Sequence, residues 1–144
     1  MWVQGLISVA VVTPSYGGPT IEYTNSLVRM VQYWYHTAVF EGVPQKINYI
    51  TRVGSGISSV RETLCRDFLE GDYTHLLFID EDTGFEPQCL HYMLSRKLPI
   101  VGCNYRMRIP GGRFVAEGDG YIVQTKADST GRRVRLHRVW VLPV

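Results

Sequence analysis

Hydrophobic residues in the first part of the chain form short unbroken runs, separated by longer stretches in which they recur every three or four positions. The first run, residues 6–13, is rich in β-branched residues, which is typical of a strand buried on both faces. Residues 75–80 and 100–103 predict two further short apolar strands, and residues 46–53 are also predicted to form a strand. The periodic stretches predict helices; these extend from Pro19-Thr20 to Gly42, from Ser59 to about Glu70, and from 88 to 96.

Strands and helices that alternate in this way predict an α/β fold, with an open, mostly parallel sheet and helices on both faces. The second helix has Ser59 and Glu62 at the spacing of a capping box, which places its start at Ser59. After Tyr105 the pattern changes to short runs of alternating apolar and polar residues between glycine-containing turns. This alternating pattern predicts antiparallel hairpins in the C-terminal part of the chain.

Length and composition indicate one globular domain. The 144 residues are 45% hydrophobic and 19% charged, which is ordinary for a folded domain. We therefore expect a single domain over 1–144, minimal or truncated at the C-terminus because the chain stops inside the apolar stretch 139–144. No apolar run is long enough to span a membrane. The three cysteines lack C-x-x-C spacing, so we expect reduced thiols and a cytoplasmic location.

The net charge of +2 is unevenly distributed. Residues 1–104 hold 7 Lys and Arg against 10 Asp and Glu, whereas 105–144 hold 8 against 3. The basic C-terminal part either faces an anion or is a solvated surface. Its arginines are not interleaved with aromatic residues and form no long basic run, so we expect no nucleic-acid partner.

Three carboxylates lie at the end of the apolar run that covers residues 75–80. Side chains alternate along an extended chain, so Asp80 and Asp82 should point one way and Glu81 the other. The carboxyl ends of strands are where ligands bind in open α/β sheets. Oxygen ligands suit Mg²⁺ or Mn²⁺ completed by substrate phosphates. The alternative is an ordinary acidic turn at a strand end.

Arg61 lies two residues past the predicted cap of the second helix. A cation in a first helical turn opposes the helix dipole, and the free backbone N–H groups there already attract anions. Either a ligand phosphate lies nearby, or Arg61 forms an ion pair with a carboxylate such as Glu62 or Asp80.

The first strand ends in a turn of small residues that contains one aromatic side chain, Tyr16, followed by Gly17-Gly18. A nucleobase could stack on Tyr16 while backbone groups bind its edge. The alternative is a tight turn with Tyr16 packed over a helix end. The two glycine-rich phosphate-binding motifs, G-x-x-x-x-G-K-[ST] and G-x-G-x-x-G, are both absent from the sequence.

Motifs for a serine nucleophile or a zinc protease are absent. The four histidines are scattered along the chain, and His36 and His91 lie on predicted helices, where surface or core packing is the usual role. His137 lies in a late predicted strand, and the return of that strand to the sheet could bring it to the carboxylates as a metal ligand.

Three segments together, residues 11–16, 56–85 and 99–108, resemble a GT-A glycosyltransferase. The resemblance covers roughly residues 6–108 and is to the short, family-2-like members, some of which bacteriophages encode. It implies a Rossmann-like GT-A fold, and a host-cytoplasmic location if the chain is phage-encoded. It also implies nucleotide contacts and a D-x-D metal site; the nucleotide contacts carry over to Thr13, Pro14, Ser15, Tyr16, Arg61, Asp80 and Glu81, and the metal ligands to Asp80, Asp82 and His137.

The resemblance implies a metal-dependent transferase that uses a nucleotide-diphospho-sugar. We expect a UDP-sugar donor, Mn²⁺ or Mg²⁺ as cofactor, and a carbohydrate or glycoconjugate acceptor. Glu117 and Asp119, near glycine turns, are the candidates for the base of an inverting reaction, and water could replace the acceptor in donor hydrolysis. Two alternatives remain: a nucleotide-binding module without turnover, and a phosphatase of the haloacid-dehalogenase type, whose nucleophile motif also follows an apolar strand.

Overall fold

The computed structural model describes residues 7–41, 45–103, 121–127 and 133–142. These form two compact units, Met1–Cys89 and Leu90–Val144. Strands and helices alternate through the first unit and into the second; in chain order they are β1 (Ile7–Ser15), α1 (Ile21–Glu41), β2 (Gln45–Val53), α2 (Ile57–Glu70), β3 (His75–Phe78), α3 (Cys89–Ser95), β4 (Val101–Cys103), β5 (Tyr121–Ala127) and β6 (Arg133–Leu142). The α/β class predicted from the sequence is confirmed.

The first unit contains a three-stranded parallel sheet in the order β2-β1-β3. β1 lies in the centre, and its residues from Ser8 to Pro14 are buried, which accounts for its unbroken apolar run. All three strands were predicted. β3 ends at Phe78, two residues earlier than the sequence suggested.

Helices cover both faces of this sheet. On one face, Val60 and Leu64 of α2 pack against Ala10 and Val12 of β1. On the other face, the hydroxyl group of Tyr23 in α1 hydrogen-bonds to that of Thr13. Alternate residues of the central strand therefore serve the two helices, as the strand period requires.

The start of α1 agrees with its sequence signal. Thr20 is the capping residue, since its hydroxyl oxygen accepts the Tyr23 N–H at 3.2 Å and its carbonyl accepts the Thr24 N–H at 3.0 Å. The apolar spacing then places Tyr23, Met30 and Trp34 in the core.

The predicted start of α2 was wrong. The capping residue is Gly56 rather than Ser59, and no side chain caps the helix. The Ser59 hydroxyl instead bonds back to the Gly56 carbonyl at 3.0 Å, so the Ser59–Glu62 spacing is not a capping box here. The chain enters the helix past Gly54, where an added Cβ would lie 2.6 Å from the Val60 side chain.

The second unit contains a three-stranded sheet in the order β4-β6-β5. β6 pairs parallel to β4, with Val101 opposite Trp140, and antiparallel to β5. The sequence placed residues 100–103 in the main parallel sheet, but in the structure this strand pairs with β6. The turns of the predicted hairpins lie outside the described residues.

Two further expectations concern the chain as a whole. Cys65, Cys89 and Cys103 are free thiols, as expected. Among the residues that the structure describes, no helix has both the length and the apolar character needed to cross a bilayer.

Candidate functional site

The loops that follow β1, β2 and β3 meet at one edge of the parallel sheet, because parallel strands end on the same side. The loop after β2 is joined to the end of β1 by a hydrogen bond from the Gly54 N–H to the Ser15 carbonyl at 3.2 Å. On the other side, the Ile79 N–H donates to the Val12 carbonyl at 3.1 Å. The central loop, residues 16–20, is therefore flanked by the Gly54 loop and by the carboxylates of residues 80–82.

The carboxylate of Glu81 is bound by the end of β1. It accepts hydrogen bonds from the Ser15 hydroxyl at 2.5 Å, from the Tyr16 N–H at 3.0 Å and from the Gly17 N–H at 3.1 Å. These donors, with the Ser15 hydroxyl contributing most, hold the pKa of the Glu81 carboxyl below its ordinary value of 4.5. Glu81 is thus an ionised acceptor for the loop at neutral pH.

The backbone of Glu81 holds the same loop at its far end. The Glu81 carbonyl accepts the Thr20 N–H at 2.9 Å, immediately before α1 begins. Between the two attachments the chain turns through Gly18, whose φ of +103° lies in the region that favours glycine. The loop is therefore tied to residue 81 at both ends.

Tyr16 is the exposed aromatic residue of this edge. Its side chain is 79% exposed, so it does not pack over a helix end. The other residues predicted to bind the nucleotide are differently placed: Thr13 and Pro14 are buried, and the Ser15 hydroxyl is engaged by Glu81. Among residues 13–16, Tyr16 offers the large exposed surface that a ligand could contact.

Arg61 forms an ion pair with Asp80. The guanidinium Nη2 lies 3.1 Å from Asp80 Oδ1, and each side chain is 49% exposed. The expectation that Arg61 occupies the first helical turn was wrong, since α2 begins at Ile57 and Arg61 opens the second turn. Of the two roles considered for Arg61, the structure contains the ion pair, and its half-exposed guanidinium remains accessible to a further anion.

Asp82 lies in the turn that follows β3. The Thr83 N–H donates to the Asp80 carbonyl at 3.2 Å, and the Thr83 hydroxyl contacts Asp82 Oδ1 at 3.5 Å. Because the strand has already ended, simple alternation does not govern these residues. Asp80 nevertheless meets Arg61, while Glu81 is directed to the β1 loop. Asp80 and Asp82 are both exposed.

The donor set determines what kind of metal could bind. Within the described residues, no three or more His, Cys, Asp or Glu side chains converge as a metal-binding group. The described residues therefore contain no cage built wholly from these side chains. Mg²⁺ and Mn²⁺ are commonly held by one or two carboxylates together with phosphate oxygens and water. Asp80 and Asp82 are exposed carboxylates of this type.

The remaining predicted site residues fall elsewhere. His137 lies in β6 of the second unit, and its side chain is not among those described. Glu117 and Asp119 lie in 104–120, outside the described residues. What sequence reasoning missed is the contact of Glu81 with the β1 loop. No local pattern signals this contact, because it joins residues that lie 64 to 66 positions apart in the chain.

Comparison of the chain with protein-family models, with curated proteins and with solved structures gave no match.

Proposed function

We propose that the protein is a metal-dependent glycosyltransferase that uses a nucleotide-diphospho-sugar, with a UDP-sugar as the expected donor. The observation that carries the proposal is the contact between Glu81 and the Tyr16 loop. Glu81 stands between Asp80 and Asp82 in the chain, so this contact joins the backbone of an exposed aromatic residue to the residue between two exposed carboxylates. A nucleoside diphosphate carries a base that can stack on an aromatic ring and a diphosphate that can bind a metal ion, which supports the proposal.

Each part of the edge has a proposed task. The Tyr16 ring would stack on the base, and Asp80 would bind the ribose or a divalent ion. Asp82 would hold the ion. Arg61 would exchange part of its contact with Asp80 for the diphosphate, which a half-exposed ion pair permits because it is worth little by itself. The ion, Mn²⁺ or Mg²⁺, would supply Lewis-acid stabilisation of the departing diphosphate.

The proposed reaction is a substitution at the anomeric carbon. The bond between that carbon and the diphosphate oxygen breaks, and the oxygen keeps the electron pair. An acceptor hydroxyl forms the new bond. In an inverting reaction a general base would take the acceptor proton. Arg61 would stabilise the charge that develops on the leaving group. With water as acceptor the same step releases free sugar.

The proposal is tested by titration calorimetry of UDP into the protein, with Mn²⁺ and separately with EDTA. Tighter binding with Mn²⁺ is expected, and equal affinity under both conditions would contradict the metal site. A panel of nucleotide-sugars is then assayed for release of UDP. Binding without release would favour a module without turnover, whereas inorganic phosphate released from a phosphomonoester would favour a phosphatase.

A further inference from the structure

Glu81 gathers an unusual number of donors for a carboxylate at the surface. Its two oxygens accept one hydroxyl and two backbone N–H groups, all from the end of β1, which is 64 to 66 residues away in the chain. The Arg61 guanidinium, the nearby cation, pairs with Asp80 instead. The carboxylate of Glu81 is therefore directed at the loop rather than at the open edge.

The N–H groups of Tyr16 and Gly17 are consecutive and point to the same oxygen, at 3.0 and 3.1 Å. Consecutive backbone N–H groups of this kind form a small anion-binding concavity. In many proteins such a concavity takes a phosphate, but here the side chain of the same chain fills it. A nucleotide that bound at this edge would find these amides already occupied.

We infer that Glu81 is a positioning residue, which holds the backbone of residues 15–17 and thereby fixes where the Tyr16 side chain leaves the loop, and which does not itself contact the nucleotide. This inference rests on the proposed function and replaces the expectation that Glu81 is a nucleotide ligand.

Holding the loop before a ligand arrives has a predictable effect on affinity. A loop with two glycines loses backbone entropy when it is ordered. Because Glu81 has already ordered the loop in the free protein, this entropy loss does not reduce the affinity for the ligand. Without the carboxylate, base binding should weaken about tenfold, the effect of ordering roughly one additional residue on binding.

The test uses the full chain with Glu81→Ala, which removes both acceptor oxygens, and Ser15→Ala, which removes one donor. Glu62→Gln is the matched control, because Glu62 is an exposed helical carboxylate paired only weakly with Arg66 at 3.4 Å. Hydrogen exchange of the Tyr16 and Gly17 amides is measured by NMR, and the affinities for uridine and UDP are measured with Mn²⁺ and with EDTA.

Glu81→Ala should accelerate exchange of both amides, with a smaller effect of Ser15→Ala and none of Glu62→Gln. The affinities of the Glu81→Ala variant for uridine and for UDP should fall by the same factor. The ratio of its UDP affinity with Mn²⁺ to its UDP affinity with EDTA should equal that of the wild type. Unchanged exchange would overturn the inference, as would weaker UDP binding with unchanged uridine binding, since Glu81 would then act on the diphosphate or the ion. If the wild type bound neither ligand, the proposed function would fail while exchange still decided whether Glu81 holds the loop.

Should Glu81→Ala not fold, Ser15→Ala decides the matter by the same comparison of uridine with UDP. Its side chain lies at the edge of the sheet, so the loss of one hydroxyl opens no cavity in the core.

Discussion

Arg61 and Asp80 form an ion pair across the edge of the sheet, with 3.1 Å between guanidinium nitrogen and carboxylate oxygen and both side chains half exposed. Exposed pairs contribute about 0 to 1 kcal/mol to stability. Replacing Arg61 should therefore change the free energy of unfolding little, while its exposed guanidinium can contact an anion.

Arg61→Ala should lower the free energy of unfolding by at most about 1 kcal/mol and should weaken UDP binding by about 1.5–3 kcal/mol, the loss of a charge-assisted hydrogen bond. Urea unfolding and titration calorimetry with Mn²⁺ measure the two quantities. Arg66→Ala, in the same helix and paired at 3.4 Å with Glu62, is the control. A large loss of stability with unchanged UDP affinity would make Arg61 a structural residue.

Tyr16→Ala should weaken uridine and UDP by similar factors, because stacking acts on the base and not on the phosphates. A base–aromatic stack is worth about 1–3 kcal/mol. The melting temperature should hardly change, since the ring is 79% exposed. Tyr92→Ala, another exposed tyrosine at 59%, is the control. Normal uridine binding by the Tyr16 variant would place the base elsewhere.

Asp82→Asn should remove the Mn²⁺ dependence of UDP binding, because the amide keeps the shape but not the charge that a hard cation requires. Asp72→Asn, at an exposed turn, controls for the loss of one surface charge. Calorimetry with Mn²⁺ and with EDTA is run on wild type and both variants. Persistence of the Mn²⁺ effect in Asp82→Asn would exclude Asp82 as a ligand.

Thr13→Val should lower the free energy of unfolding by about 1–2 kcal/mol, because the buried Tyr23 hydroxyl loses a partner. Tyr49 also contacts that hydroxyl, which keeps the loss moderate. Adding Tyr23→Phe to Thr13→Val should cost less than the sum of the single changes. Additive losses in urea unfolding would show that the two hydroxyl groups are not coupled.

His75 should make stability depend on pH. Burial lowers the pKa of its imidazole below the ordinary 6.5, so the unfolded chain binds the proton more readily. Stability is therefore highest above about pH 7.5 and falls as the pH drops through 6.5 towards the lowered pKa. Urea unfolding from pH 8 to 5 should show a steeper loss in wild type than in His75→Gln. Parallel curves would contradict the burial effect.

The central strand β1 could be predicted because it is a nearly continuous apolar run, which a strand covered on both faces requires. The start of α1 could also be predicted, since Thr20 caps its own helix through local bonds. These features depend on residues close together in the chain, which is why the pattern of the sequence carries them.

What could not be predicted depends on distant partners. Residues 101–103 have the composition of a buried strand, but nothing local states that they pair with β6. Ser59 has the right spacing to cap α2, yet the helix begins at Ile57 with Gly56 as its capping residue. The contact of Glu81 with Tyr16 spans 65 residues and follows only from the strand order.

The central position of β1 also governs how the chain must acquire its structure. β1 precedes both of its partners in the chain by a long interval: Thr51 bonds to Thr13 across 38 residues, and Thr74 bonds to Ser8 across 66. Until these bonds form, β1 is an apolar segment with two unpaired edges. Contacts of such long range slow folding and expose strand edges to association. We expect the yield of native protein to depend on concentration during refolding, and the rate-limiting step to be the capture of β1 by β2 and β3.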